Sequence, residues 1–301
     1  MSERLLEVSA RLEERVAGVE GRFGVAAWPV GKPDEAFGIN LDESFPTASV
    51  FKVPLLYALY QMHDRGEVDL AQRIRVETEH LVPGSGVLQD LDTGLEPTIR
   101  DLAVLMIVLS DNQATDMLYA IVGPDRIHAA MDELGLHRTR VPMSTKALLY
   151  DYVGLDPDNP EHTYDMSLER MRKGEYNRDG AAWSDVDGSG NDLTTPREMA
   201  RLCEAIEQGV GLSAEAREGM LDIMKRQKFN ERIPVGLPEN TDVAHKTGSL
   251  KGVRNDAGIV YAPSGPYTVA IFSKRLSDEK AGVQAIGDLS KIVWETLGDE
   301  G

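Results

Sequence analysis

The stretch Thr47-Ala48-Ser49-Val50-Phe51-Lys52-Val53-Pro54-Leu55 places a hydroxyl and an amine three residues apart where an apolar helix begins. Residues i and i+3 of a helix share a face and their side chains can touch, so Ser49 is expected one turn from Lys52. A partly buried amine beside other cations loses its charge readily, and a neutral lysine there can take the serine's proton. That pairing is an activated nucleophile of the Ser–Lys kind. The same residues also read as ordinary helix chemistry, a serine N-cap followed by a first-turn lysine. The pair therefore needs partners elsewhere in the chain.

Upstream, Leu5, Val8, Leu12, Val16 and Val19 recur at near-helical spacing, which predicts a helix over residues 3–19 ended by Gly21. Arg22 to Val30 and Ala36 to Asn40 read as two strands separated by Gly31-Lys32-Pro33-Asp34. The helix that opens at Val50 runs to Arg65, with Pro54 close to its first turn, where a missing N–H costs least.

Downstream, residues 66–97 are loop-rich and contain the turn Pro83-Gly84-Ser85-Gly86. Thr98-Ile99-Arg100-Asp101 resembles a capping box ahead of Leu102 to Leu109, a run apolar on every side and expected to be buried. That helix stops at Ser110-Asp111-Asn112, a second follows to Val122, and Pro124 and Gly135 bound another. Residues 150–193 are rich in Asp, Gly, Asn and Tyr with poor periodicity, which suggests a functional segment or an insertion. Thr195-Pro196-Arg197-Glu198 opens helices that continue to Lys228. Val243 to Leu250, Asp256 to Ala262 and Tyr267 to Lys274 then read as three antiparallel strands, and residues 279–297 as a closing helix.

The strands thus come from the two ends of the chain and the middle is helical. The economical fold class is α/β in the α+β sense, an antiparallel sheet flanked by terminal helices with an all-helical domain inserted. The expected division is a mixed domain from residues 1–48 and 229–301 and a helical domain from residues 49–228. An active site belongs in the seam, where pockets commonly form.

Composition narrows the function. With 32 basic against 50 acidic residues the net charge is −18, a surface that repels phosphate backbones, so no nucleic-acid partner is expected. No apolar run reaches the length of a membrane span, and no membrane partner is expected. The single cysteine, Cys203, excludes a disulfide framework and sits in a helical pattern. The six histidines show no metal-ligand spacing, so neither metal nor cofactor is inferred. The N-terminus opens directly into an amphipathic helix without a secretory h-region, which points to the cytoplasm unless a leader has been removed. A small-molecule partner and a monomer or weak dimer complete the expectation.

Three short motifs stand in order, Ser49-Val50-Phe51-Lys52, Ser110-Asp111-Asn112 and Lys246-Thr247-Gly248, that is S-x-x-K, S-D-N and K-T-G. With Pro83-Gly84-Ser85-Gly86, Gly123-Pro124 and Thr194-Thr195-Pro196 between them, the chain resembles the serine β-lactamase and penicillin-binding superfamily, class A β-lactamases in particular, over residues 20–297. The resemblance implies that Ser49 attacks a lactam carbonyl and becomes acylated while Lys52 receives its proton. It implies that Ser110 stands between Lys52 and Lys246 and relays a proton to the leaving nitrogen. Asp111 braces backbone, and Asn112 offers an amide to an acylamino group. Lys246 and Thr247 attract the substrate carboxylate, Gly248 lets the strand come close to ligand, and Arg254 is a further candidate for the carboxylate. The backbone N–H groups of Ser49 and Ser249 would form the oxyanion hole.

The sequence departs from class A in one respect. The E-x-x-L-N loop whose glutamate primes the deacylating water is absent between Tyr150 and Asp192. Glu175, Glu169 and Asp179 are the candidates for that base. With a base the acyl-enzyme turns over as in a β-lactamase. Without one it persists, as in a penicillin-binding protein, a serine esterase or a D-alanyl peptidase. A binding or sensor module on the same fold is the non-catalytic reading, with Ser49 only capping a helix.

Overall fold

The structure, a computed structural model, describes residues 3–179 and 190–298. A five-stranded antiparallel sheet runs β2-β1-β7-β6-β5, with β1 Arg22–Pro29, β2 Phe37–Ile39, β5 Val243–Leu250, β6 Val253–Ala262 and β7 Gly265–Lys274. The first hairpin and the C-terminal meander are joined by the β1–β7 ladder, in which Val25 faces Ile271. The sequence pattern anticipates these five strands. It misses β3 (Phe45–Pro46) and β4 (Leu193–Thr194), a two-residue antiparallel pair. Strands this short carry no period to read.

Both faces of the sheet are covered, which is why β1, β5, β6 and β7 are buried along most of their length, polar residues of β5 and β6 included. Alternation along β1 sends Phe23, Val25 and Ala27 to one face and Ala26 and Trp28 to the other. The outer face packs on α1 (Glu3–Val16) through Val8 and Leu12, and on the closing helix α10 (Glu279–Leu297) through Ile286, Leu289 and Val293. The inner face meets α8 (Pro196–Gln208) through Met199, Leu202, Cys203 and Ile206. Cys203 is fully buried, and burial pushes its thiol up to about 12, so it packs as a small apolar residue.

The remaining helices are α2 (Lys52–Asp64), α3 (Ile99–Val108), α4 (Asn112–Val122), α5 (Pro124–Glu133), α6 (Thr145–Tyr152), α7 (Tyr164–Lys173) and α9 (Ala214–Lys225). The helix enclosed on every side is α2, buried from Lys52 through Met62, whereas Val104 and Leu105 of α3 are only partly covered. Burying a leucine or phenylalanine contributes about 1.5–3 kcal/mol, so α2 anchors the helical layer. The stretch 150–193 holds the end of α6 and all of α7 despite its weak periodicity; its residues 180–189 lie outside the described residues. Among the described residues, no helix is long and apolar enough to cross a membrane.

Candidate active site

A cavity of about 310 Å³ opens where β5, the edge strand, meets the N-terminus of α2 and the loop between α3 and α4. Ser49 lines it from a 3₁₀ turn, Ala48–Phe51, that feeds α2. Its hydroxyl caps nothing: no side-chain cap occurs at this helix start. Ala48, one residue earlier, has φ +44°, left-handed backbone that a side-chain-bearing residue adopts at a cost of about 1–2 kcal/mol. The sheet holds that strained segment. The Asn255 amide on β6 donates to Pro46 O at 2.8 Å and to Thr47 O at 3.0 Å. Gly248 lets β5 lie against it, because a Cβ there would stand 2.6 Å from Thr47 O and 3.1 Å from Ser49 N.

Lys52 is wholly buried, and its Nζ donates to Ser110 O (2.8 Å), Asn112 Oδ1 (2.9 Å) and Ser110 Oγ (3.2 Å). Burial brings this ammonium down to about 7, against the fields of Asp111 and Asp116, which favour its charge. Lys246 is equally buried and donates to Ser110 Oγ (3.1 Å) and Thr247 O (2.8 Å). Burial, then the neighbouring Lys52 and Arg232 charges, push it well below the ordinary lysine range. The Ser110 hydroxyl therefore touches both amines.

The loop around Ser110 is braced from the 83–88 turn. Asp111 caps α4 by accepting from Ala114 N (2.9 Å), and its other oxygen accepts from Val87 N (2.7 Å) and Leu88 N (2.8 Å). Gly86 has φ +121° and passes so close that a Cβ would meet the Asp111 carboxylate at 2.4 Å. Asn112 lines the cavity, but its amide is engaged, Nδ2 donating to Pro83 O at 2.9 Å. Ser85, also on the wall, donates to Ser110 O at 2.7 Å; motif reading offers no role for it.

Thr247 and Ser249 line the K-T-G end of the cavity. Arg254 does not reach it. Its guanidinium is spent on Leu250 O (2.6 Å), Val253 O (2.7 Å) and an ion pair with Glu279 of α10. Arg232, to which the sequence alone gives no role, supplies a cation on the wall. It is 3% exposed and donates to Gly248 O (2.8 Å), Asn255 O (2.5 Å) and Ser249 Oγ (2.6 Å).

The three candidate bases stand elsewhere. Glu169 is exposed on α7 and pairs with Lys173 at 2.7 Å, while Glu175 and Asp179 are exposed beyond the end of that helix. None lines the cavity; the α6 wall presents Thr145, Leu148 and Leu149 instead. Among the described residues, the one carboxylate on the cavity is Glu231.

A serine at the mouth of an apolar helix, sharing a cavity with a second serine, Ser110, whose hydroxyl touches two buried amines, in a seam between an antiparallel sheet and a helical layer, is the layout of a serine hydrolase that works through an acyl-enzyme. The family model described as the beta-lactamase enzyme family matches residues 7–297, and the chain belongs to that family, as a hydrolase of the β-lactamase type. Similar proteins include a beta-lactamase of Mycobacterium tuberculosis, 30% identical over 90% of this chain and 80% of that one. A beta-lactamase from Sphaerobacter thermophilus has a crystal structure that superposes with TM-score 0.77 at 31% identity, covering 97% of both chains. PBP-A, solved as a leucine-to-glutamate variant in an acyl-enzyme complex with penicillin G, gives TM-score 0.77 at 27% identity over 97% of this chain and 96% of its own.

Proposed function

We propose that this protein opens the β-lactam amide by transferring the acyl group to Ser49. The observation that carries the reading is the Ser110 hydroxyl held within 3.2 Å of one buried amine and 3.1 Å of another. Neutral Lys52 takes the Ser49 proton as the oxygen adds to the lactam carbonyl. The oxyanion is held by the Ser49 and Ser249 N–H groups, and losing one such donor costs about 3 kcal/mol of transition-state binding. The C–N bond then breaks, and the proton travels from Lys52 through the Ser110 hydroxyl to the leaving nitrogen. Thr247, Ser249 and Arg232 receive the substrate carboxylate, whose charge favours a protonated Lys246. Water finally hydrolyses the Ser49 ester. The test is mass spectrometry during reaction with benzylpenicillin. We expect a penicilloyl adduct on Ser49 that is absent in Ser49→Ala; ring opening by the alanine variant at the parent rate sinks the reading.

The α6 wall favours a slow last step. Leu148 and Leu149 cannot accept a proton from water, and a positioned base is worth about 10²–10⁴ in rate. On this second reading the adduct outlives the mixing time by minutes or more, and steady turnover of a chromogenic cephalosporin is correspondingly low.

A further inference from the structure

The cavity carries one carboxylate among the described residues, Glu231, and the acyl-transfer chemistry above has no use for it. Its side chain is 49% exposed, and its ion pair with Arg232, at 3.5 Å, is long. Arg232 in turn is fixed on Gly248 O, Asn255 O and Ser249 Oγ, so Glu231 stands at the K-T-G end, where the ring carboxylate of a substrate is received. Phe229, 39% exposed, lines the same mouth. An aromatic ring and a carboxylate lining one cavity suit an organic cation, above all a quaternary or aromatic nitrogen.

We propose that Glu231, with Phe229, is a specificity-determining residue that favours bicyclic β-lactams bearing a cationic substituent on the ring carbon next to the carboxylate. The inference rests on the acyl-enzyme reading above. A carboxylate-bearing ring carbon delivered to Arg232, Thr247 and Ser249 brings the substituent of the adjacent carbon toward Glu231. There a positive charge is attracted, and a neutral group leaves Glu231 paired with Arg232. Glu231 touches the substituent and takes no part in bond making.

Cephaloridine and cephalothin share one acyl side chain and differ in this substituent, a pyridinium against an acetoxy group, which makes them a matched pair. The measurement is the second-order rate of Ser49 acylation by each, followed by mass spectrometry, so slow deacylation does not interfere. Comparing the ratio of the two rates between variants cancels their different intrinsic reactivities. For a half-exposed charge we expect the cephaloridine-to-cephalothin ratio to fall about threefold in Glu231→Gln and further in Glu231→Lys. The parent ratio should shrink as salt is raised, which a merely structural role would not produce. An unchanged ratio in both variants, or a ratio indifferent to salt, overturns the inference. If neither compound acylates Ser49, the acyl-enzyme reading falls first and takes this one with it.

Discussion

Ser110 joins the two cations of the site: its Oγ lies 3.2 Å from Lys52 Nζ and 3.1 Å from Lys246 Nζ. It reaches that position from left-handed backbone, φ +55°, at the break between α3 and α4. Such a conformation persists only where the surroundings over-determine it. Here they do, because Lys52 Nζ and Ser85 Oγ both donate to Ser110 O. A strained serine is therefore maintained at a point where its hydroxyl connects two amines.

Removing that hydroxyl separates chemistry from strain. Ser110→Ala and Ser110→Gly should both slow acylation of Ser49 about 10²-fold, the lower end of what a positioned proton donor contributes. Only glycine relaxes the backbone, so Ser110→Gly should be more stable than Ser110→Ala by about 1 kcal/mol. Stopped-flow acylation and urea denaturation check the two halves independently.

The pH dependence follows from Lys52. With its ammonium brought down to about 7, acylation should rise as pH passes through that value and level off above it, since only the neutral amine accepts the serine proton. The same shift acts on stability. Between about 7 and the ordinary lysine value of 10.5, the unfolded chain binds a proton at this site that the folded chain does not. Stability therefore gains with pH across that window, and Lys246 adds in the same direction. Lys52→Met should abolish acylation and flatten the rise, as read from denaturation midpoints between pH 7 and 10.

The α6 wall makes a prediction of its own. Leu149 is half-buried, lines the cavity, and its Cδ1 comes within 3.5 Å of the place a Cβ on Gly84 would occupy. Leu149→Glu puts a carboxylate on a side of the cavity that has none among the described residues. The lifetime of the penicilloyl adduct should then shorten by about 10²-fold, with the acylation rate little altered. An adduct as long-lived as the parent's would show that a carboxylate on this wall is not what limits deacylation.

Much of this layout is legible in the chain before any coordinates. The three motifs are local: two are written where a period breaks, at the mouth of α2 and between α3 and α4, and the third lies within β5. The strands read clearly because the short apolar runs of β1, β6 and β7, rich in β-branched residues in β6 and β7, are bounded by turn signals and leave little choice of state. Arg232 escaped because nothing near it in sequence marks it; its place depends on Gly248 and Asn255 carbonyls brought in by the β5–β6 hairpin. Arg254 drew attention by standing close after the K-T-G motif, yet strand geometry commits it to Glu279, a residue of the last helix. The candidate bases failed to reach the cavity for a related reason. Carboxylates in an aperiodic stretch cannot be aimed from sequence, and Glu169 folds onto its own helix neighbour Lys173.

The two arginines can be told apart by experiment. Arg232 is held by Gly248 O, Asn255 O and Ser249 Oγ at the K-T-G end of the cavity, the end proposed for the substrate carboxylate, and it is nearly inaccessible. Arg232→Lys keeps a charge but loses the planar fork that bridges two strands and a hydroxyl. It should weaken the apparent affinity for benzylpenicillin by about tenfold, the equivalent of one charge-assisted hydrogen bond. The defect should be much smaller for a lactam whose ring carboxylate is esterified, because that substrate brings no charge for the guanidinium to meet. Arg254→Lys acts at the junction of β6 and α10, where it trades a carbonyl-capping guanidinium for a weaker ion pair. It should lower the melting temperature while treating acid and ester alike. Acylation rates of the two substrates across substrate concentration, with thermal melts alongside, decide the matter. Equal discrimination by both variants would remove Arg232 from the carboxylate site.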